Sequence, residues 1–341
     1  MGNDDDVQSS TSGDKRGSIR AVARRADVSA STASRSLRQG TSVSAETREK
    51  VLKAARELGY QLPRARTGSP LIAVLTRFPN QWFFAEAIAT IEHVLSAQGQ
   101  RLVLHDVSNP VSRAAFFENA LPQGQFDGVI VISATFSPDE QKALLGLAVP
   151  GVTIGGYLPG WPTIGIDETA AARAATQHLL GLGHQRLGLL SFETSDPLGV
   201  GTTNARHRGF EEALAGSGLT ADPRWIVLAE GSRMSGGYAA AEYLLSQPQL
   251  PTALFAMSDE LAIGALQAFR RAGMSVPGDL SIVGFDDHEM AEFADLTTVA
   301  QPLIQQAQLA AERLDPSNHT IGRDTQLAFR LRVRGTSGPP V

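Results

Sequence analysis

The chain has 341 residues, of which 42% are hydrophobic, and its formal net charge is −5. It contains no cysteine, which excludes a disulfide framework, thiol catalysis and a zinc site built on thiolates. No stretch reaches the roughly 18 apolar residues that a membrane-spanning helix needs, so we expect no membrane partner. The N-terminus is acidic, then rich in serine and glycine, without the apolar run of a secretory signal. We therefore expect a cytoplasmic protein whose residues 1–16 form a disordered leader.

The charge is distributed unevenly along the chain. Residues 15–66 hold 13 lysines and arginines against 4 acidic residues, whereas residues 67–341 hold 17 basic and 27 acidic residues. A compact basic segment on an acidic body is typical of a DNA-binding head joined to a separate sensing domain. A solvated basic face on any helical domain would give the same counts, so charge alone does not establish that residues 15–66 bind DNA.

The stretch SIRAVARRADVSASTASRSL, residues 18–37, predicts two short helices joined by a tight turn. Ser18 is suited to cap the first helix, and Ser29 is suited to cap the second. The second helix carries almost only small or polar side chains, so it gains little from burial. Short hydroxyls and one arginine suit a helix lying in the DNA major groove. The side chains that we predict to contact DNA there are Ser29, Ala30, Ser31, Thr32, Ser34 and Arg35.

A third helix is predicted from Ala45 to Leu58, with Ser44 as its cap and Gly59 as its stop. The segments VSASTASRSL and VSAETREKVLKAARELGY resemble the N-terminal signature of the lactose-repressor (LacI) family of bacterial transcription regulators. The resemblance implies an all-α helix-turn-helix DNA-binding domain, which we assign to residues 17–60. The alternative is a generic three-helix bundle with a basic surface.

Residues 61–70, QLPRARTGSP, are predicted to be a linker because they contain two prolines, a glycine and no apolar periodicity. Members of the LacI family usually have room here for a further short helix that pushes a leucine into the minor groove. This chain has fewer residues and no leucine between Leu62 and Leu71. We therefore expect no leucine wedge, and we expect Arg64 and Arg66 to follow the DNA backbone or to enter a narrow minor groove. The alternative is that the segment is only a tether.

From Leu71 onward, short apolar runs alternate with helical periods. The runs predicted as buried strands are LIAVLT, RLVLHD, GVIVIS, GVTIGG, RLGLLS, WIVL, TALFAM and LSIVG. Helices are predicted near residues 84–98, 112–120, 138–147, 168–182, 204–216, 235–247 and 259–272. This alternation is typical of parallel sheets covered on both faces. One barrel or two doubly wound sheets would fit, and we predict two sheets because the pattern restarts at Arg186–Ser191.

This part of the chain also resembles the LacI family. FPNQWFFAEAI is similar to the start of the family's sensor domain, and HLLGLGHQRLGLLS, ARHRGFEEAL and the stretch from PTALFAMSDELAIGALQAF to FADLTTVAQP are similar to its second half. The resemblance implies a two-lobed sensor of the periplasmic-binding-protein fold over residues 71–341. Its lobes would close on a small molecule, and the chain would form a homodimer.

The candidate effector-binding residues are Phe83, Phe84, Arg206, Ser232, Ser258 and Asp286. Arg206 is expected at the start of a helix, where its planar fork can donate to two ligand oxygens, and it matches the family's ligand arginine. Asp286 follows an apolar strand, so its carboxylate can accept from sugar hydroxyls, unless it only caps the loop. The two phenylalanines fall where the family packs apolar side chains against the effector ring. Ser232 and Ser258 match effector-contact positions of relatives.

At two positions the chain departs from the family, so the resemblance does not specify which effector it binds. Ser232 stands where several relatives carry an aromatic residue, and Gly155 stands where some sugar-binding relatives carry an aspartate. His184 could suggest a catalytic base, but no nucleophile or carboxylate is placed to work with it. The seven histidines lack metal-ligand spacing, and no phosphate-binding glycine loop is present, so we predict neither a metal nor a cofactor.

The sequence thus favours a sequence-specific DNA-binding transcription regulator, acting as a repressor. A homodimer would bind a near-palindromic operator, and a small effector such as a sugar or related metabolite would control the affinity. One alternative is a cytoplasmic ligand-binding protein whose DNA-binding head is vestigial. Another is a sugar-processing enzyme, which would need an acid–base pair that the sequence does not offer, so we predict no enzymatic activity.

Overall fold

The computed structural model describes residues 19–29, 32–33, 36, 44–58, 69–123, 125–147, 149–192, 201–230, 233–314 and 324–341. It divides into two compact units, Met1–Ser69 and Pro70–Val341. Several predictions concern residues outside the described part of the chain: the leader 1–16, most of the linker, and the candidate site residues Ala30, Ser31, Ser34, Arg35, Arg64, Arg66 and Ser232.

The first unit contains helices α1 (Ile19–Arg25) and α2 (Ala45–Glu57). Between them, the Ser29 hydroxyl accepts from the N–H of Thr32 at 3.1 Å, and the Ser29 carbonyl accepts from the N–H of Ala33 at 2.8 Å. This is the geometry of a helix that begins at a serine cap. Ala33 is fully buried with Val22 and Val51 of the two flanking helices, so a small apolar side chain anchors the predicted second helix.

Two lobes form the second unit. The strands of the first lobe are β1 (Leu71–Thr76), β2 (Arg101–Asp106), β3 (Gly128–Ile132), β4 (Gly151–Ile154), β5 (Thr163–Gly165) and β11 (Thr325–Gln326). They pair in parallel in the order β11-β5-β4-β3-β1-β2. Its helices are α3 (Trp82–Ala97), α4 (Pro110–Ala114, followed by a π-helix at Ala115–Ala120), α5 (Pro138–Leu145) and α11 (Leu303–Glu312).

The strands of the second lobe are β6 (Leu187–Phe192), β7 (Ile226–Ala229), β8 (Ala253–Ala256), β9 (Ser281–Phe285), β10 (Thr297–Ala300) and β12 (Arg330–Arg332). Their order is β12-β10-β9-β8-β6-β7, and they are parallel except for β12, which runs antiparallel to β10. Its helices are α6 (Glu168–Gly181), α7 (Gly201–Gly216), α8 (Met234–Leu245), α9 (Asp259–Arg271) and α10 (Glu289–Phe293), with a 3₁₀ turn at Pro223–Trp225.

The predicted fold class, two doubly wound sheets together with a helical DNA-binding domain, is confirmed. Each lobe has apolar helix faces on both sides of a buried sheet, which explains the continuous apolar runs of strands such as β3 and β9. The chain crosses between the lobes after β5, after β10 and after β11. The sequence did not identify β5, β10, β11, β12, α10 or α11 as elements. The first four have two to four residues each, too few for a period to appear.

Candidate effector site

A cavity that is partly open to solvent lies between the two lobes. Residues that follow β1, β3, β8 and β9 line it, so it lies at the carboxyl ends of both sheets, where open α/β sheets bind ligands. Its lining residues are Phe78, Gln81, Phe83, Phe84, Ser133, Glu168, Phe192, Thr202, Arg206, Ser258, Glu260 and Asp286. The cavity thus brings together all five described residues that the sequence predicted to bind the effector.

Arg206 is the central cation of this cavity. It is 7% exposed and lies in the second turn of α7, one turn further into the helix than expected, because α7 begins at Gly201. Its Nε donates to Glu168 at 2.8 Å and its Nη1 donates to the carbonyl of Met257. Its guanidinium carbon lies 3.7 Å from the centre of the Phe285 ring. The acceptors of Glu168 and Met257 and the ring of Phe285 therefore fix the orientation of the guanidinium group.

Asp286 lies at the end of β9, with Oδ1 3.6 Å from Arg206 Nη2. Gln301 donates to the same oxygen at 2.7 Å, and Gln306 in turn donates to Gln301 at 3.0 Å. Burial raises the pKa of Asp286 to about 7, although Arg206 and Gln301 favour the ionised form. Its backbone φ is 111°, a conformation that side chains with a Cβ rarely adopt. Strain of this kind is stored where a fold must aim a functional side chain.

The buried side chain of Asp259 stabilises the loop that follows β9 and contains Asp286. Its carboxylate accepts from the backbone N–H of His288 at 2.7 Å and from the Thr298 hydroxyl at 2.6 Å. Burial and the neighbouring Asp286 raise the pKa of Asp259 well above its usual range. A Cβ at position 284 would lie 2.1 Å from Asp259 Oδ1, so only glycine fits there. Asp287 pairs with Arg332 at 2.9 Å and with Arg334 at 3.0 Å, and so ties the loop to β12 and the segment after it.

The first lobe contributes an aromatic wall. The rings of Phe78 and Phe83 each contact the ring of Phe84 edge to face. The centroid of the Phe84 ring lies 5.6 Å from that of Phe78 and 5.4 Å from that of Phe83. Both predicted phenylalanines line the cavity while also packing on the core of the lobe. Such a wall offers a flat apolar face to a sugar ring or a base.

Ser258 combines a structural position with a place in the cavity lining. Its hydroxyl caps α9 by accepting from the N–H of Leu261 at 3.3 Å. Gly155 has φ +63°, and a Cβ there would lie 2.8 Å from the Ser133 hydroxyl oxygen. The Ser133 hydroxyl therefore occupies the space that a side chain at position 155 would need, and Ser133 itself lines the cavity.

The sequence did not predict the other described lining residues, which are Phe78, Gln81, Ser133, Glu168, Phe192, Thr202 and Glu260. The sequence could have indicated Glu168, because it is the first residue of α6 and follows the N-cap residue Asp167, where the chain crosses from β5 to the second lobe. His184 is explained structurally, because its two ring nitrogens bond the Thr252 hydroxyl at 3.0 Å and the Gly338 carbonyl at 2.8 Å. Among the described residues, no group of three or more acidic or histidine side chains is arranged to hold a metal ion.

Comparison with known proteins agrees with this architecture. Residues 18–62 match the family model described as bacterial regulatory proteins of the lacI family, and residues 176–337 match a periplasmic-binding-protein-like domain. The repressor CytR of Escherichia coli K12 is 34% identical over 92% of this chain and 89% of its own length. The chain belongs to the LacI family.

Solved structures of LacI-family regulators have the same fold. A complex of the regulator CelR with cellobiose is 27% identical, with a TM-score of 0.67 over 94% of this chain and the whole of that one. A LacI-family regulator of Enterococcus faecium with bound ribose is 26% identical, with a TM-score of 0.69 over 79% of this chain and 99% of that one. This member of the LacI family is therefore an effector-controlled, DNA-binding transcriptional regulator, and its relatives are repressors rather than enzymes. None of its described helices is both long and apolar enough to cross a membrane.

Proposed function

We propose that the cavity between the lobes binds an uncharged, hydroxyl-rich effector, and that a free sugar or a sugar-containing metabolite is its natural occupant. The observation that carries this proposal is the buried pair of Arg206 and Asp286, which faces an aromatic wall across the cavity. Carboxylate and guanidinium groups exchange hydrogen bonds with hydroxyls, and the rings cover the C–H face of a sugar. Cellobiose and ribose occupy two of the related regulators, which supports the same class here.

The charge of the lining argues against a phosphorylated or carboxylated effector. Among the described lining residues are three carboxylic acids, Glu168, Glu260 and Asp286, and one guanidinium, that of Arg206. That guanidinium already pairs with Glu168 and lies against Asp286. Among the described lining residues, an anionic ligand would therefore meet like charge and a guanidinium that is already paired.

The DNA-binding part of the proposal rests on the helix that Ser29 caps. We infer that Ser29, Ala30, Ser31, Thr32, Ser34 and Arg35 contact DNA from within the major groove. Two such heads in a homodimer would read the half-sites of a near-palindromic operator. Because its target is bacterial DNA, the regulator would act in the cytoplasm. The proposed domains are residues 17–60 for the head, 61–70 for the linker and 71–341 for the sensor.

A gel shift with DNA from upstream of the neighbouring genes tests the function directly, with free sugars, nucleosides and their phosphate esters as candidate effectors. We expect specific DNA binding that a free compound changes and its phosphate ester does not. Coupling is reciprocal, so the operator must shift the effector's affinity by the same factor. Asp286→Asn should keep DNA binding and weaken the response. A protein that binds effector but no DNA would support the alternative with a vestigial head.

The short linker needs its own experiment. If Arg64 and Arg66 contact phosphates, the double variant Arg64→Ala with Arg66→Ala should lower the salt slope of binding by about 0.9 per lost contact. An unchanged affinity and slope would mean that the linker is only a tether. A sharp central kink in a circular-permutation assay would contradict the absence of a leucine wedge.

A further inference from the structure

The helices around the effector cavity favour negative charge inside it. Three helices of the second lobe, α6, α7 and α9, begin at the cavity. The first residue of α6, the second residue of α7 and the N-cap residue of α9 are among its lining residues, namely Glu168, Thr202 and Ser258. The N-terminus of a helix carries partial positive charge. Together with the buried guanidinium of Arg206, these helix ends would attract a phosphate or a carboxylate into the cavity.

Glu168 opposes this attraction. Its Oε2 accepts a hydrogen bond from Arg206 Nε at 2.8 Å, and the side chains of Arg206 and Glu168 are only 9% and 10% exposed. Because solvent screens a buried pair weakly, the carboxylate cancels much of the guanidinium charge at the place where a ligand would meet it. The carbonyl of Met257 and the ring of Phe285, which also contact the guanidinium, carry no charge.

The packing of α6 against α7 places Glu168 beside Arg206. Asp167 caps α6 with its side chain and so fixes the residue at which the helix begins. The two helices approach closely at Gly209 of α7, where a Cβ would lie 2.3 Å from the carbonyl oxygen of Thr169. Glu168 precedes Thr169 directly, so the same close approach brings its carboxylate to the guanidinium.

The other two carboxyl groups of the described lining are less suited to this role. Burial raises the pKa of Asp286 to about 7, so near neutral pH this group carries only part of a negative charge. Burial also raises the pKa of Glu260. Of the three, Glu168 is the one at hydrogen-bonding distance from Arg206, since the nearest Asp286 oxygen lies 3.6 Å from Nη2.

We propose that Glu168 determines the charge selectivity of the effector site: it makes the cavity accept uncharged ligands, and its neutralisation converts the same cavity into a site for a phosphate-bearing compound. This role rests on the proposed function and deepens it, because it names the residue that excludes anionic effectors. One elementary charge within several ångströms of a bound anion changes the affinity by about tenfold to a hundredfold in a partly buried site.

Glu168→Gln tests this role, with inorganic sulfate as the ligand. Glutamine has nearly the same shape, and its amide oxygen can still accept from Arg206, so the variant removes the charge and keeps the contact. Titration calorimetry at neutral pH and constant ionic strength should show sulfate binding at least about tenfold tighter in the variant than in the parent. Glu168→Ala, which also leaves room for the anion, should show at least the same gain.

Two controls locate the effect. Glu212→Gln removes the same charge from an exposed position of α7, and it should bind sulfate as weakly as the parent does. The double variant Glu168→Gln with Arg206→Met removes the charges of both partners together and should lose the gained sulfate binding. Circular dichroism would establish that each variant is folded.

Three results would overturn the proposal. The first is an unchanged sulfate affinity in folded Glu168→Gln and Glu168→Ala. The second is an equal gain in Glu212→Gln, which would trace the effect to the overall charge of the protein. The third is gained sulfate binding that persists in the double variant, which would make the anion an adventitious ion only.

The gel-shift panel separates this role from the proposed function. If a free sugar changes DNA binding by the parent, the phosphate ester of that sugar should change DNA binding by Glu168→Gln and leave the parent unaffected. An ester that acts on neither protein would contradict the role of Glu168. If no free sugar acts in the panel, the proposed effector class fails, whereas the sulfate titration still decides whether Glu168 sets the charge selectivity of the cavity.

Discussion

The buried carboxyl group of Asp286 should make the stability of the sensor depend on pH, and Asp286→Asn should remove that dependence. In the folded protein, burial raises the pKa of Asp286 to about 7, whereas an unfolded chain would release the proton near pH 4. Between these values folding takes up a proton, so the free energy of unfolding must fall as the pH rises. The slope is at most about 1.4 kcal/mol per pH unit, which amounts to about 4 kcal/mol over the interval. Above pH 7 the contribution is constant.

Urea unfolding of both proteins at several pH values between about 5 and 8 measures this difference. The variant should gain stability relative to the parent with every step up to about pH 7 and show no further gain above it. Burial also raises the pKa values of Asp259 and Glu260, but both residues are present in the parent and in the variant. The difference in stability between the two proteins therefore reports on Asp286 together with its electrostatic coupling to Asp259. Asp139→Asn, at an exposed position, is the control. A stability difference that does not vary with pH would refute the assigned protonation state.

Three other substitutions test separate parts of the molecule. Arg206→Met should destabilise the sensor by about 3–5 kcal/mol in urea unfolding, because it leaves buried carboxylates without their cation, and a loss below 1 kcal/mol would contradict its role as the central cation. Gly237→Ala should lower the free energy of unfolding by about 1–3 kcal/mol or more, because a Cβ there would lie 2.1 Å from the Leu261 carbonyl oxygen where α8 and α9 cross. An unchanged melting temperature would show that the two helices separate easily. Arg35→Ala should weaken operator binding by about 1–3 kcal/mol while leaving random DNA unaffected, and an equal loss on both in a gel shift would make it a phosphate contact.

The positions of most helices and strands could be predicted from the sequence. Apolar runs such as Leu71–Thr76 and caps such as Ser29 are local signals, because a strand buried on both faces must be apolar throughout and a helix start needs an acceptor. The place of the effector cavity followed from the same pattern, since residues after parallel strands meet at one edge of a sheet. Arg206 and Asp286 were therefore expected to face a common cavity, and in the structure they do.

Only the tertiary structure decided how those residues are used. The fork of Arg206 was expected to be available to a ligand, but it is largely occupied by Glu168, which is 38 residues away in the chain, and by a backbone carbonyl. Glu260 had no signal in the sequence, because an acidic residue in the first turn of a helix is ordinary on electrostatic grounds alone. The ring of Trp82 in the first lobe lies on the ring of His288 in the second because the chain crosses between the lobes, and no local pattern encodes a distance between two separately folded sheets.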